Sequence, residues 1–183
     1  MNTRGSIELS MNVFVIILIS LVILAGGITL LYKFLGGAED IKAQLDEKTN
    51  EELERLLVDQ GKQVALPLHT ATIFRGESHV FGIGILNIGS VGNEFLLRVE
   101  LSKVVDEQEQ DITPTLNKAE VESWLLYNTE PIILEENGHE KEVILVKVAP
   151  DTPKGQYIFN AYVFLSDGSS QYGNTQKFIV TVR

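Results

Sequence analysis

Three histidines and two dense carboxylate runs are the side chains here best equipped for chemistry. His69, His79 and His139 would suit zinc binding or proton transfer if two of them shared a helix face or a short ligand spacing. They are scattered, so each reads as a surface or turn histidine. Asp106–Asp111 and Glu135-Glu136-Asn137 offer oxygen ligands for calcium, but without the ordered spacing of a dedicated loop, and read as solvated loop charge. No Gly-x-Ser-x-Gly elbow, phosphate-binding loop or dinucleotide fingerprint occurs; Gly82-Ile83-Gly84 lies inside a strand pattern and points to close packing or a bulge. Trp124, with Leu125 and Tyr127, would serve a sugar platform or a core, and the core is the better reading. The chain contains no cysteine, hence no disulfide and no thiolate metal site. The expectation is a protein that is not an enzyme, with no catalytic residue, no cofactor and no metal.

The elements that would carry any site divide the 183 residues in two. From Val64 onward the apolar period is two. Phe95, Leu97, Val99 and Leu101 alternate with Leu96, Arg98, Glu100 and Ser102, and Ile144, Val146, Val148 and Phe178, Val180, Val182 repeat the pattern. Tyr157–Leu165 is apolar on both faces, which marks a central or covered strand. Turn residues separate the runs at 75–77, 89–93, 136–138, 150–155 and 167–168. About seven strands in an all-β antiparallel sandwich follow from this spacing. Residues 106–122, acidic and containing Pro114, break it as a long connection or a short helix over one end.

Ahead of the β region the period is helical. Leu9–Tyr32 carries no charge; as one helix it would be about 35 Å long, enough for a hydrocarbon core of about 30 Å. Ala25-Gly26-Gly27 imitates a signal-peptidase site, yet apolar sequence resumes at Ile28, so a retained helix is expected. Those small residues also permit close helix packing. After Gly36-Gly37, the acidic stretch to residue 60 is amphipathic. Thr49-Asn50-Glu51-Glu52 fits a capping box for a helix with Leu53, Leu56 and Leu57 on one face, ending near Gly61. Such a stalk would act as a spacer or pack against copies of itself. The expected organisation is a polar leader at 1–8, a transmembrane helix at 9–35, an amphipathic helical stalk at 36–62 and the sandwich at 63–183. The formal charge of −10 argues against nucleic acid as a partner. Basic residues flanking the apolar run favour a cytoplasmic C-terminal side, but the Arg4–Glu8 stub outweighs them, and an extracellular domain is expected.

Two stretches carry family resemblances. Phe81–Leu101, with Asn87-Ile88-Gly89, and Ala149-Pro150-Asp151-Thr152-Pro153-Lys154-Gly155-Gln156-Tyr157 resemble Ig-like surface modules of the CARDB type. The resemblance implies that the prolines stiffen a corner, Gly155 relaxes it, and Tyr157 buries its ring while its hydroxyl bonds back to the turn. Arg4-Gly5-Ser6-Ile7-Glu8 before the apolar run resembles the class III signal peptide of archaeal type IV pilin-like proteins. That resemblance implies a prepilin peptidase cut after Gly5, a new end at Ser6, and Glu8 as the carboxylate that assists assembly. Glu8 stands three residues after Gly5, closer than the family's usual spacing. A helix N-terminus favours such a carboxylate, and the alternative is an uncleaved anchor whose end Arg4 and Glu8 solvate. Together these features imply a pilin-like, non-enzymatic cell-surface subunit that self-assembles through its N-terminal helix in the lipid bilayer. The alternative is a membrane-anchored adhesion module for a protein or glycan ligand.

Overall fold

The computed structural model of the chain describes residues 13–23 and 47–183. They fall in two compact units, Met1–Asp40 and Ile41–Arg183. In the first unit the described residues form a helix over 13–23. At about 1.5 Å per residue the described part spans roughly 16 Å, half a bilayer's hydrocarbon thickness, and the rest of the 9–35 reading lies outside the described residues. Among the described residues no helix is long and apolar enough to cross a membrane. This overturns the single-pass location with an extracellular C-terminal domain, which rested on one unbroken helix through Leu9–Tyr32.

The second unit is a two-sheet sandwich. One sheet has the order β1-β3-β7-β5, built from Val64–Ala65, Ser78–Leu86, His139–Lys147 and Leu125–Tyr127. The other has the order β2-β9-β8-β4-β6, built from Thr70–Ile73, Gln171–Val182, Gly155–Leu165, Glu94–Val105 and Ile132–Ile133. Among the described residues nine strands replace the expected seven, because four of them have four residues or fewer, too short to show a period. One pairing also departs from the antiparallel expectation: β2 runs parallel to β9, with Thr70 opposite Ile179.

Alternation decides which side chains enter the core. Phe95, Leu97, Val99 and Leu101 of β4 are buried, as are Tyr157, Phe159, Ala161 and Val163 of β8. They meet Phe81, Ile83 and Ile85 of β3 and Ile144 and Val146 of β7 in one cluster. Phe81 and Phe178 join the two sheets with ring centroids 4.6 Å apart, and Phe159 stacks on Phe178 at 5.2 Å. Trp124 lies in this core too, its ring 5.0 Å from Tyr157. β8 is central, as its two-faced apolarity required, between β9 and β4. On its outer face Phe164 is covered in part by the Arg98 guanidinium, 4.8 Å from the ring centroid.

The leucine face expected of a stalk does not project from the sandwich. Glu47–Glu54 is α-helical and continues as a π-helical turn over Arg55–Asp59. Leu53, Leu56 and Leu57 are buried with Ala65, Leu86 and Val143 in a second cluster outside the four-stranded sheet. Thr49 lies within the helix rather than capping it, and the Glu52 carboxylate turns instead to Arg55.

Candidate interaction surfaces

The helix over 13–23 is the most unusual surface among the described residues. Apart from Ser20 every side chain is aliphatic or aromatic, and exposure runs from 48% at Val15 to 71% at Val22. The Ser20 hydroxyl donates to the Ile16 carbonyl at 2.8 Å, which removes the one polar side chain as a handle for water. The other site residues read from the sequence, Arg4, Gly5, Ser6, Glu8, Ala25, Gly26 and Gly27, lie outside the described residues.

The sandwich carries a cleft of about 370 Å³ where the chain leaves the π-helical turn. Leu56, Val64 and Leu66 contribute apolar wall, and Glu52, His69 and Gln176 contribute polar rim. Those polar groups are already engaged. Glu52 pairs with Arg55, His69 Nδ1 is 2.9 Å from the Lys177 carbonyl, and the Gln176 amide donates to Val64 and Asn174 carbonyls at 3.3 and 3.0 Å. The bonds build the junction between helix, loop and β9, and they pair no nucleophile with a base.

The three histidines do not converge. His139 Nε2 lies 3.3 Å from Glu54, beside Lys141 Nζ at 2.7 Å, so this pair ties the helix end to β7. The Lys141 hydrogen bond, opposed by burial and aided by the Lys141 charge, lowers the Glu54 pKa. His79 departs from the expected surface or turn position. It sits within β3, edge-on to Phe81 at 4.9 Å, with Nε2 buried and unpartnered, and burial lowers its pKa.

The acidic runs close turns. Asp106 Oδ1 accepts the Gln108 and Gln110 N–H groups at 2.9 and 2.8 Å, and Asp111 Oδ1 accepts the Thr113 N–H and hydroxyl at 3.0 and 2.6 Å. Hydrogen bonds from Thr113 hold the Asp111 carboxyl below its usual pKa. Among the described residues no three His, Asp or Glu side chains gather as a metal site.

The corner at 150–157 has the form the Ig-like resemblance implied. The Tyr157 ring is fully buried, and its hydroxyl donates to the Pro153 carbonyl at 2.9 Å. Burial pushes the phenol pKa up to about 12. Gly155 has φ +154°, and a Cβ there would meet the Val105 carbonyl oxygen at 2.5 Å. A second tyrosine went unread in the sequence. Tyr172 donates to the Leu86 carbonyl at 2.6 Å and accepts the Ile88 N–H at 2.9 Å, which ties the five-stranded sheet to the four-stranded one. Beside it the Asn87 amide donates to Gly92 and Leu134 carbonyls at 2.8 and 2.9 Å, pinning two loops at that end.

The chain matches no family model and no curated protein. Solved structures similar to it include a family 123 glycoside hydrolase from Clostridium perfringens, at 15% identity over 63% of this chain with a TM-score of 0.40. A PapD-like domain of human CEP192 aligns at 14% identity over 67% of this chain, with a TM-score of 0.40. The GspB Siglec domain aligns at 16% over 66%, with a TM-score of 0.39. The chain covers 23%, 84% and 56% of those three chains respectively. Likenesses this distant carry no argument about activity, and they show neither a pilin nor a CARDB-type family.

Proposed function

We propose that this chain is a non-enzymatic, pilin-like subunit that self-assembles through its N-terminal apolar helix, each copy contributing one Ig-like sandwich. The observation that carries the reading is the 13–23 helix, apolar on every face and exposed throughout. Soluble monomers rarely present so large a contiguous apolar surface, and packing against like helices buries it without requiring any polar partner. The engaged polar groups of the cleft support a structural rather than a chemical role for the sandwich.

Around that helix the sequence supplies the rest of the reading. Ala25, Gly26 and Gly27 let neighbouring helices approach closely, and Glu8 neutralises the terminal amine of an adjacent subunit. A prepilin peptidase acting after Gly5 would release that amine on Ser6. Mass spectrometry of the protein isolated from its native source tests this step: an N-terminus at Ser6 is the expected result, and an intact residue before Gly5 contradicts it.

A further inference from the structure

β4 pairs with β8 along nearly its whole length, but with β6 only at Glu94 and Phe95. Beyond Phe95 its other side would be a bare sheet edge, with unpaired main-chain groups at alternate residues. Three of the N–H groups on that side are taken by side chains instead. Val99 donates to the Tyr127 hydroxyl at 3.2 Å, Leu101 to the Glu122 carboxylate at 2.9 Å, and Val104 to the Thr113 hydroxyl at 2.8 Å. The Ile112 N–H adds a bond to the Val104 carbonyl at 3.0 Å.

The three acceptors come from one stretch, 113–127: Thr113 and Glu122 lie in the part of the sequence that broke the strand pattern, and Tyr127 follows just after it. Thr113 opens a 3₁₀ turn, Glu122 ends the short helix Lys118–Glu122, and Tyr127 ends β5 in the opposite sheet. Each is positioned in turn. Asp111 holds the Thr113 hydroxyl, Lys118 lies 3.5 Å from Glu122, and the buried Val121 and Trp124 anchor the stretch to the core. The spacing of the acceptors follows the strand's outward groups rather than the helix or turn that bears them.

We propose that Thr113–Tyr127 is an edge cap that keeps β4 closed to pairing with a second copy of this chain. An uncapped β4 offers the same alternating donors and acceptors to an antiparallel copy of itself, so the contact is self-complementary and closes as a two-fold pair. Side-chain acceptors satisfy the edge without presenting a strand that another chain could extend. The cap therefore decides between a closed sheet and one continued across two subunits.

The test uses the full chain. Its lack of cysteine allows one spin label at Ser102→Cys on β4. With the cap intact, no β4-to-β4 distance should appear. Adding Thr113→Val, Glu122→Met and Tyr127→Phe should produce an intermolecular distance of a few strand spacings of about 4.8 Å. Amide exchange at Val99, Leu101 and Val104 should also quicken about tenfold at low concentration, as expected when a hydrogen bond of ordinary strength is lost. Thr113→Val alone guards against simple unfolding, since it should speed exchange at Val104 and leave Val99 and Leu101 protected. Unchanged exchange in the triple variant, no short distance, or equal loss of protection at all three amides in Thr113→Val would overturn the proposal.

Discussion

Leu57 lies directly over Gly84: a Cβ on that glycine would come within 2.5 Å of Leu57 Cδ1 and 3.0 Å of Leu53 Cδ2. The missing side chain is what lets the 47–59 helix sit against β3. Gly84→Ala should cost about 1–3 kcal/mol by overpacking, because the atoms it meets are the ends of movable leucines. Leu57→Ala removes the partner instead and should cost about 2–5 kcal/mol. Urea denaturation of both variants checks the pair, and an unaffected Leu57→Ala protein would show that the helix is not part of the cooperative unit.

Tyr172 bridges the sheets with one hydroxyl that both donates and accepts. Tyr172→Phe keeps the ring against Phe95, 4.8 Å away, but leaves the Leu86 carbonyl and the Ile88 N–H without it. A loss of about 1–3 kcal/mol is expected from groups left unsatisfied, read as a lower denaturation midpoint at unchanged slope.

At the 150–157 corner the two contributions separate. Tyr157→Phe removes one neutral hydrogen bond to Pro153 and should cost about 1 kcal/mol. Gly155→Ala should cost more, since the strained φ alone is worth about 1–3 kcal/mol and the new Cβ strikes the rigid Val105 carbonyl. Calorimetry should rank the two in that order.

His79 gives a pH signature. Its folded pKa is lowered by burial, so the neutral ring is the stable native form. Unfolded chains bind that proton first, and stability should therefore fall as pH drops below about 6.5 toward the lower folded pKa, with no effect above it. Denaturation midpoints of wild type and His79→Leu between pH 5 and 8 (about the range where histidine titrates) should diverge at the acid end. Parallel curves would contradict the assignment.

Sandwich and corner were legible in the sequence because both rest on local signals: period-two alternation in β4, β7, β8 and the end of β9, and the run of proline, glycine and tyrosine at 150–157. Tyr172 was not, since Gln171–Lys177 is polar around a glycine and resembles a loop, although it opens β9. The edge cap was hidden for a different reason. Thr113, Glu122 and Tyr127 share no sequence period and are related only through the strand they cover. The leucine face at 53–57 was visible as a face, but its partner, a glycine in β3, presents no hydrophobic signal. The membrane-spanning reading of the apolar run at 9–32 went beyond the 13–23 helix that the described residues show, because hydropathy reports burial preference and not helix length.

Self-assembly through the 13–23 helix is the central claim, and sedimentation velocity combined with electron microscopy of the full chain tests it most directly. After removal of detergent, the wild-type chain should form ordered, filamentous assemblies. Ile16→Glu with Ile19→Glu, both on that helix, should remain small and folded. A wild-type chain that stays monomeric, or a double variant that forms the same assemblies, would contradict the account.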